Sequence, residues 1–297
     1  MRISDSMTTQ TFLMNLSRTK SEMNKISESI YTGSKINRPS DSPDGTAKLL
    51  RLNTAINNSN TYVKNVNEGL AQLQETTNSM ESMFSSIQDV RSLLVEIQNP
   101  SNSPYLESYA IKIDSALESM LNMANHEYNG KFLFGGTDHS TKPYGLKDDG
   151  TGIELKTSSV SGSQSIKISG TISTKINITG EELFGTVGAD DIFNTLYRIR
   201  EDLKAGNMPN ESDKQKVETF NNNLLNKISY AGNITNRLYD CGELLNNSIL
   251  SLQDLMSKET EVDMAKAVVD LEYQENLMQL AYKTSSMVLP KSLLDYL

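Results

Sequence analysis

Residues 129–140 read NGKFLFGGTDHS, and this stretch decides how the chain is organised. The eighty or so residues before it are polar, helix-forming and poor in glycine. Then Phe132, Phe134, Gly135 and Gly136 arrive within five positions. Eleven of the 17 glycines lie between Gly130 and Gly188. The flanks, 46–129 and 189–289, hold only Gly69, Gly206, Gly232 and Gly242. Prolines punctuate the same scheme: Pro39 and Pro43, Pro100 and Pro104, Pro209 and Pro290 fall at breaks between helical runs. The stretch therefore marks a domain crossing, where a helical part ends and something richer in turns begins.

On both sides of it the apolar residues keep a helical beat. A first helix over about 4–31 carries Phe12, Leu16, Met23, Ile26 and Ile30, with Thr19 in the one polar slot, a heptad seam. A polar, turn-rich loop follows, SKINRPSDSPDG at 34–45. Residues 46–98 read as one long helix with Ile56, Val63, Val66, Leu70, Leu73, Met80, Phe84, Ile87 and Leu94 at a 3.5-residue spacing. At about 1.5 Å per residue it is roughly 80 Å long, which calls for a partner helix along its length. Further helices are expected over 104–128, 190–204, from Glu211 for about 45 residues, and 262–289. For 46–129 and 211–256 the seams read as intramolecular core.

Between the third and fourth helices the period changes to two. Ile153 and Leu155, Ile166 and Ile168, and Ile176 and Ile178 alternate among Ser, Thr and Gly, the pattern of short antiparallel strands. The expected class is thus mainly α: an elongated antiparallel helical rod or coiled coil built from both chain ends, with a small β-rich insert. Its parts are 1–35 with 258–297, a terminal coiled-coil assembly domain; 36–132 with 189–257, a helical rod; and 133–188, the insert. The insert is expected to be removable without unfolding the rod.

Composition narrows the function classes. The hydrophobic fraction is 37%, aromatics are 6% and tryptophan is absent, lean for globular domains but suited to helices with narrow seams. The net charge of −9 argues against nucleic acid and against an anionic membrane. No run approaches a membrane span or a signal peptide's apolar core, so by these signals the chain is expected to be soluble and, if it leaves the cell, to use some other route. The histidines, His126 and His139, and the single Cys241 have no metal-ligand spacing. FGGT follows a helix and lacks the lysine of a phosphate loop. No catalytic residue, metal or cofactor is expected. Cys241 reads as a small apolar side chain on a stripe with Leu238 and Leu245.

The ends attract attention for another reason. Residues 1–35 hold five basic and three acidic side chains, residues 257–297 four basic and seven acidic. The final helix is apolar over more than one stripe, including Leu271, Leu277, Leu280 and Met287. One partner helix leaves part of that surface bare.

TGSKINRPSDSPDG at 32–45, NGKFLFGG at 129–136, and the termini MRIS and AYKTSSMVLPKSLLDYL together resemble the flagellin superfamily, in its hook-associated branch. The likeness covers about 1–136 and 190–297. It implies a structural subunit on the outside of the cell, an adaptor ring between hook and filament. It implies that the terminal helices pair and pack with neighbouring copies, placing Phe12, Leu16, Met23, Ile26, Ile30, Leu271, Leu277, Leu280 and Met287 in pairing or assembly contacts. Asn37, Arg38, Pro39, Ser40 and Asp41 would form the loop between assembly and rod domains. The implied partners are copies of the chain, another hook-associated protein, flagellin and an export chaperone. Two other readings stay open: a flagellin-like filament subunit, and an α-helical binding protein unrelated to flagella.

Overall fold

Helical periodicity at the ends and short strands in the middle both persist in the computed structural model, which describes residues 5–138, 140–147, 150–157, 159–188 and 191–288. In chain order these are α1 (Asp5–Thr32), α2 (Pro43–Glu96), a 3-10 turn (Pro100–Tyr105), α3 (Leu106–Ala124), β1 (Glu127–Tyr128), β2 (Lys131–Phe132), β3 (Tyr144–Leu146) and β4 (Ile153–Leu155), then β5 (Ser165–Lys167), β6 (Ser173–Lys175), α4 (Gly180–Phe184), α5 (Ile192–Lys204), α6 (Glu211–Thr260) and α7 (Met264–Val288). The fold is mainly α, as the seams require. Met1–Ser4 and Leu289–Leu297, and with them the terminal motifs, fall outside the described residues, as does His139.

The helix boundaries follow local chemistry. Ser42 accepts the Gly45 N–H on its Oγ at 3.1 Å and the Thr46 N–H on its carbonyl at 2.8 Å, so α2 starts at Pro43. A proline just inside the start loses nothing, because its missing N–H would be an orphan there. The third helix begins later than its period indicates: Asn99 caps a 3-10 turn through Ser101 N–H, and Pro104 lies inside that turn. It also stops at Ala124, where Asn125 turns the chain into β1.

The chain divides into two compact units, residues 1–58 with 248–297 and residues 59–247. In the larger, one core joins α2, α3, α5 and α6. Met80, Ile87, Ile113, Met120, Leu196, Ile199, Val217 and Leu224 are all buried in it. Gln88 Nε2 donates to Asn221 Oδ1 at 3.2 Å, and Arg91 Nε donates to Glu218 Oε2 at 2.7 Å, fixing the register of α2 against α6. Arg200 on α5 reaches Asp114 on α3 at 2.5 Å.

The insert forms three two-stranded antiparallel pairs, β1–β2, β3–β4 and β5–β6. Its core is not its own. Tyr144, Ile153, Ile178, Leu183 and Phe184 belong to the same buried cluster as the helices. The rings of Tyr144, Phe184 and Phe193 meet at 4.8–5.2 Å between centroids. A second, smaller cluster lies under β5–β6, where Ile168 and Ile176 pack on Val66, Leu73, Ile234 and Leu238. Gly69 makes room for this hairpin; a Cβ there would lie 2.7 Å from Ile166 Cδ1. The expectation that the insert comes away from an intact helical part is therefore revised: its apolar residues complete the helical core.

In the smaller unit α1 packs along α7. Phe12, Leu16, Thr19, Met23, Ile26 and Ile30 are all half-buried, and Ala267 and Met278 of α7 are buried.

Candidate assembly surface

Where the two chain ends meet, the backbone ties itself together. Ser34 and Glu261 form an antiparallel bridge. The Lys35 N–H donates to Thr260 O at 2.7 Å and the Val262 N–H to Gly33 O at 3.2 Å. Gly33 sits at φ 68, a conformation glycine adopts without strain, and this lets α1 end and the crossing begin. Lys48 of α2 reaches Glu259 of α6 at 3.7 Å. The crossing sets α1 and α7 off side by side in opposite directions.

The expected loop residues build that corner. Asp41 Oδ2 accepts the Asn37 N–H at 3.1 Å and the Arg38 N–H at 2.8 Å. Asn37 Nδ2 donates to Ser34 O at 2.9 Å, and Arg38 Nη2 meets Glu28 Oε2 at 3.1 Å. Asn37 is half-buried; Arg38, Pro39, Ser40 and Asp41 are exposed. An aspartate accepting two successive amides is an anion held by a backbone nest. It stiffens the corner.

Among the expected assembly residues, Phe12, Leu16, Met23, Ile26 and Ile30 line α1 towards α7, and Leu271 and Leu277 are half-buried on α7. Leu280 is instead 57% exposed. The Met287 side chain lies outside the described residues. Sequence reasoning missed several bare apolar residues of this unit: Met7, Leu13 and Met14 on α1 and Met264 on α7 are also exposed, beside Val269 and Tyr273 of the broad apolar surface expected on the last helix. Their signal was present in the sequence, since they fall off the seam yet are large and apolar.

The domain-crossing residues have a different part. Asn129 (φ 51) and Gly130 (φ 72) form the two-residue turn of the β1–β2 hairpin. That Asn-Gly pair between Tyr128 and Lys131 is a hairpin signal the periodicity argument passed over. Phe132 is half-buried and Phe134 fully buried, its ring 5.6 Å from that of Phe184. Gly135 is buried, and its N–H donates to Phe132 O at 3.3 Å. Gly136, at φ 66, passes so close to Ser161 that a Cβ would overlap its carbonyl oxygen. Of these four residues Phe134 belongs to the buried core cluster.

The polar groups offer no comparable centre for chemistry. Among the described residues no cluster of His, Cys, Asp or Glu is placed to hold a metal ion, and no helix is long and apolar enough to cross a membrane. His126 sits 3.7 Å from Glu75 at the surface. Cys241 is half-buried and burial pushes its thiol up, away from the reactive thiolate. What the fold displays is apolar helix surface at the paired ends.

Residues 3–139 match the model of the bacterial flagellin N-terminal helical region. Flagellar hook-associated protein 3 of Escherichia coli (strain K12) is 24% identical over 312 aligned positions, which cover 95% of each chain. The chain is also 26% identical to Phase 1 flagellin of Salmonella naestved over 226 positions. That match covers 71% of this chain but 43% of the flagellin, so the chain spans less than half of that relative's length. Two solved structures share the fold. FlgL of Bacillus cereus superposes with a TM-score of 0.58 at 19% identity, over 70% of this chain and 99% of its own. Flagellar hook-associated protein 3 of Legionella pneumophila gives 0.62 at 13%, over 70% and 97%.

Proposed function

We propose that this chain is a structural subunit of the bacterial flagellum, an adaptor whose copies form a ring joining the hook to the filament. The observation that carries the reading is the α1–α7 pair: the two chain ends meet, and large apolar residues remain bare on both helices. A surface of that kind belongs at contacts between subunits. End-to-end correspondence with a hook-associated protein, against partial correspondence with a flagellin, supports the adaptor over a bulk filament subunit. The filament-subunit reading remains the second, because residues 3–139 carry the flagellin helical region.

In this reading the parts 1–35 and 258–297 form the assembly domain, 36–132 and 189–257 the helical rod, and 133–188 an inserted β-rich domain. Phe12, Leu16, Met23, Ile26, Ile30, Leu271, Leu277, Leu280 and Met287 serve pairing or assembly, and Asn37–Asp41 form the corner between assembly and rod parts. The chain is exported with help from a chaperone and lies outside the cell, touching its own copies, another hook-associated protein and flagellin. It performs no catalysis.

The test is deletion of the chain in its source organism, followed by electron microscopy. Hooks without filaments, with flagellin shed into the medium and filaments restored by the intact chain, are the expected result. Filaments of normal length in the deleted strain would overturn the adaptor reading. Elongation of filament seeds by the purified chain would favour the filament subunit.

A further inference from the structure

We propose that neighbouring copies of this chain join through a heterologous, charge-matched contact, a basic stripe of α1 on one copy meeting an acidic stripe of α7 on the next. This rests on the assembly reading above and names the geometry of its contact. On α1, Met7, Met14, Arg18 and Lys25 follow at steps of seven, four and seven. At 100° per residue they fall within about 40° of one another. All four are exposed, on the side of the helix away from the half-buried seam. On α7, Val268, Glu272, Glu275 and Tyr282 follow at steps of four, three and seven, and all four are exposed beside buried Ala267 and Met278.

Each stripe pairs apolar side chains with one sign of charge, and those charges are largely unused inside the chain. Arg18, Glu272 and Glu275 have no ion-pair partner among the described residues. Lys25 reaches Glu22 at 3.8 Å, within its own helix. The opposite signs of the chain ends are thus displayed outward. If the stripes run antiparallel with Arg18 facing Glu272, Met7 falls near Tyr282, because both steps span about 15–17 Å of helix. Packing α1 on α1 would set basic against basic, whereas α1 on α7 sets unlike charges together. The ring of the assembly reading then requires one such contact to each neighbour, a heterologous arrangement that propagates instead of closing as a dimer.

The test uses the full chain in the source organism with its own copy deleted. Four arms are compared: the unmodified chain, Arg18→Glu with Lys25→Glu, Glu272→Lys with Glu275→Lys, and the two reversed chains produced together. Export is measured in the medium and assembly by the number of retained filaments. Each reversal alone should lower retention at least about tenfold, and joint production should restore most of it. Recovery on mixing identifies a contact between chains, since a repulsion inside the chain would persist in every copy. Chemical cross-linking of purified chains, checked for equal helix content, gives the same comparison without depending on export. The inference falls if either reversed chain assembles like the unmodified one, or if the mixture stays as defective as its parts. If the unmodified chain joins no filament to the hook, the proposed function falls first.

Discussion

Asn194 grips Ile153 by both of its backbone groups. Its Oδ1 accepts the Ile153 N–H at 2.9 Å and its Nδ2 donates to the Ile153 carbonyl at 3.0 Å. The same Nδ2 lies 2.7 Å from Asp191 Oδ2, and Asp191 Oδ1 caps α5 through the Asn194 N–H at 2.8 Å. A side chain thus takes the place of a neighbouring strand for β4 and fastens it to the first turn of α5. Gly152 allows this approach, because a Cβ there would overlap Asn194 Oδ1.

Asn194→Ala should therefore be costly. It strips a buried amide and carbonyl of partners and leaves the buried Asp191 carboxylate one donor short. About 2–4 kcal/mol of stability should be lost, read as a lowered urea midpoint with unchanged slope. A loss under about 0.5 kcal/mol would show that water replaces the side chain.

Tyr144→Phe should behave in the opposite way. The Tyr144 ring is fully buried among Phe134, Phe184 and Phe193, and its hydroxyl is a buried oxygen without a hydrogen-bond partner among the described residues. Burial, then the charges of Asp191 and Glu181, push its ionisation far up, so it stays a neutral and unsatisfied phenol. Removing the oxygen removes that desolvation cost and keeps the ring contacts. The variant should match or exceed the parent by about 1 kcal/mol, measured as a rise in Tm. A clear fall in Tm would reveal a partner for the hydroxyl.

Replacing 138–187 by a short flexible linker should unfold the larger unit. The deletion removes Tyr144, Ile153, Ile178, Leu183 and Phe184 from the core. At about 2–4 kcal/mol for each large side chain lost, the five together cost about 10–20 kcal/mol, as much as or more than the roughly 5–15 kcal/mol that typically holds a protein folded. Loss of cooperative melting by circular dichroism is expected. Retention of a sharp transition near the parent Tm would restore the insert as a separate domain.

How much of this was legible in the sequence depends on which force fixed each element. The seams of α2 and α6 were readable because period alone sets them: Val66, Leu73, Met80, Ile87 and Leu94 are all buried. Strands at 153–155 and 165–167 also followed from alternation, but Ile176 and Ile178 lie beyond β6 as buried side chains of an irregular segment. The Asn194–Ile153 grip was not legible, because it joins positions 41 residues apart through one side chain. Its only local trace was Asp191 ahead of an apolar-periodic run, an N-cap signal. The shared core was hidden for the same reason. Composition marked the insert as different but said nothing of what its isoleucines touch.

Acid should loosen the attachment of α4. Burial raises the Glu182 carboxyl, but the hydrogen bond from Lys175 and the charges of Lys227 and Lys175 outweigh it, holding Glu182 below the usual range. A depressed folded-state value means stability that is present above the ordinary glutamate pKa of about 4.3 and lost as pH falls through the lower folded value. The Lys175 and Lys227 contacts, at 2.6 and 3.5 Å, are partly exposed, so the effect is modest. Glu182→Gln should flatten the dependence of stability on pH below about 4.5. An unchanged slope would assign the acid sensitivity to other carboxylates.

The chain ends should gain most of their order from assembly. The α1 seam is only half-buried against α7, and Val269, Tyr273 and Leu280 stay exposed on the monomer. Most of a helix's stability in a protein comes from the packing of its apolar face, so the pair has little to stabilise it before neighbours cover those residues. Hydrogen exchange on the isolated chain should show weak protection from Val268 to Leu280 and strong protection around Leu196 and Ile199, whose side chains are fully buried. Ending the chain at Met264 should then leave the melting of the 59–247 unit nearly unchanged while abolishing incorporation between hook and filament. Strong protection over 268–280 in the monomer would sink the coupling of order to assembly, and so would normal incorporation of the shortened chain.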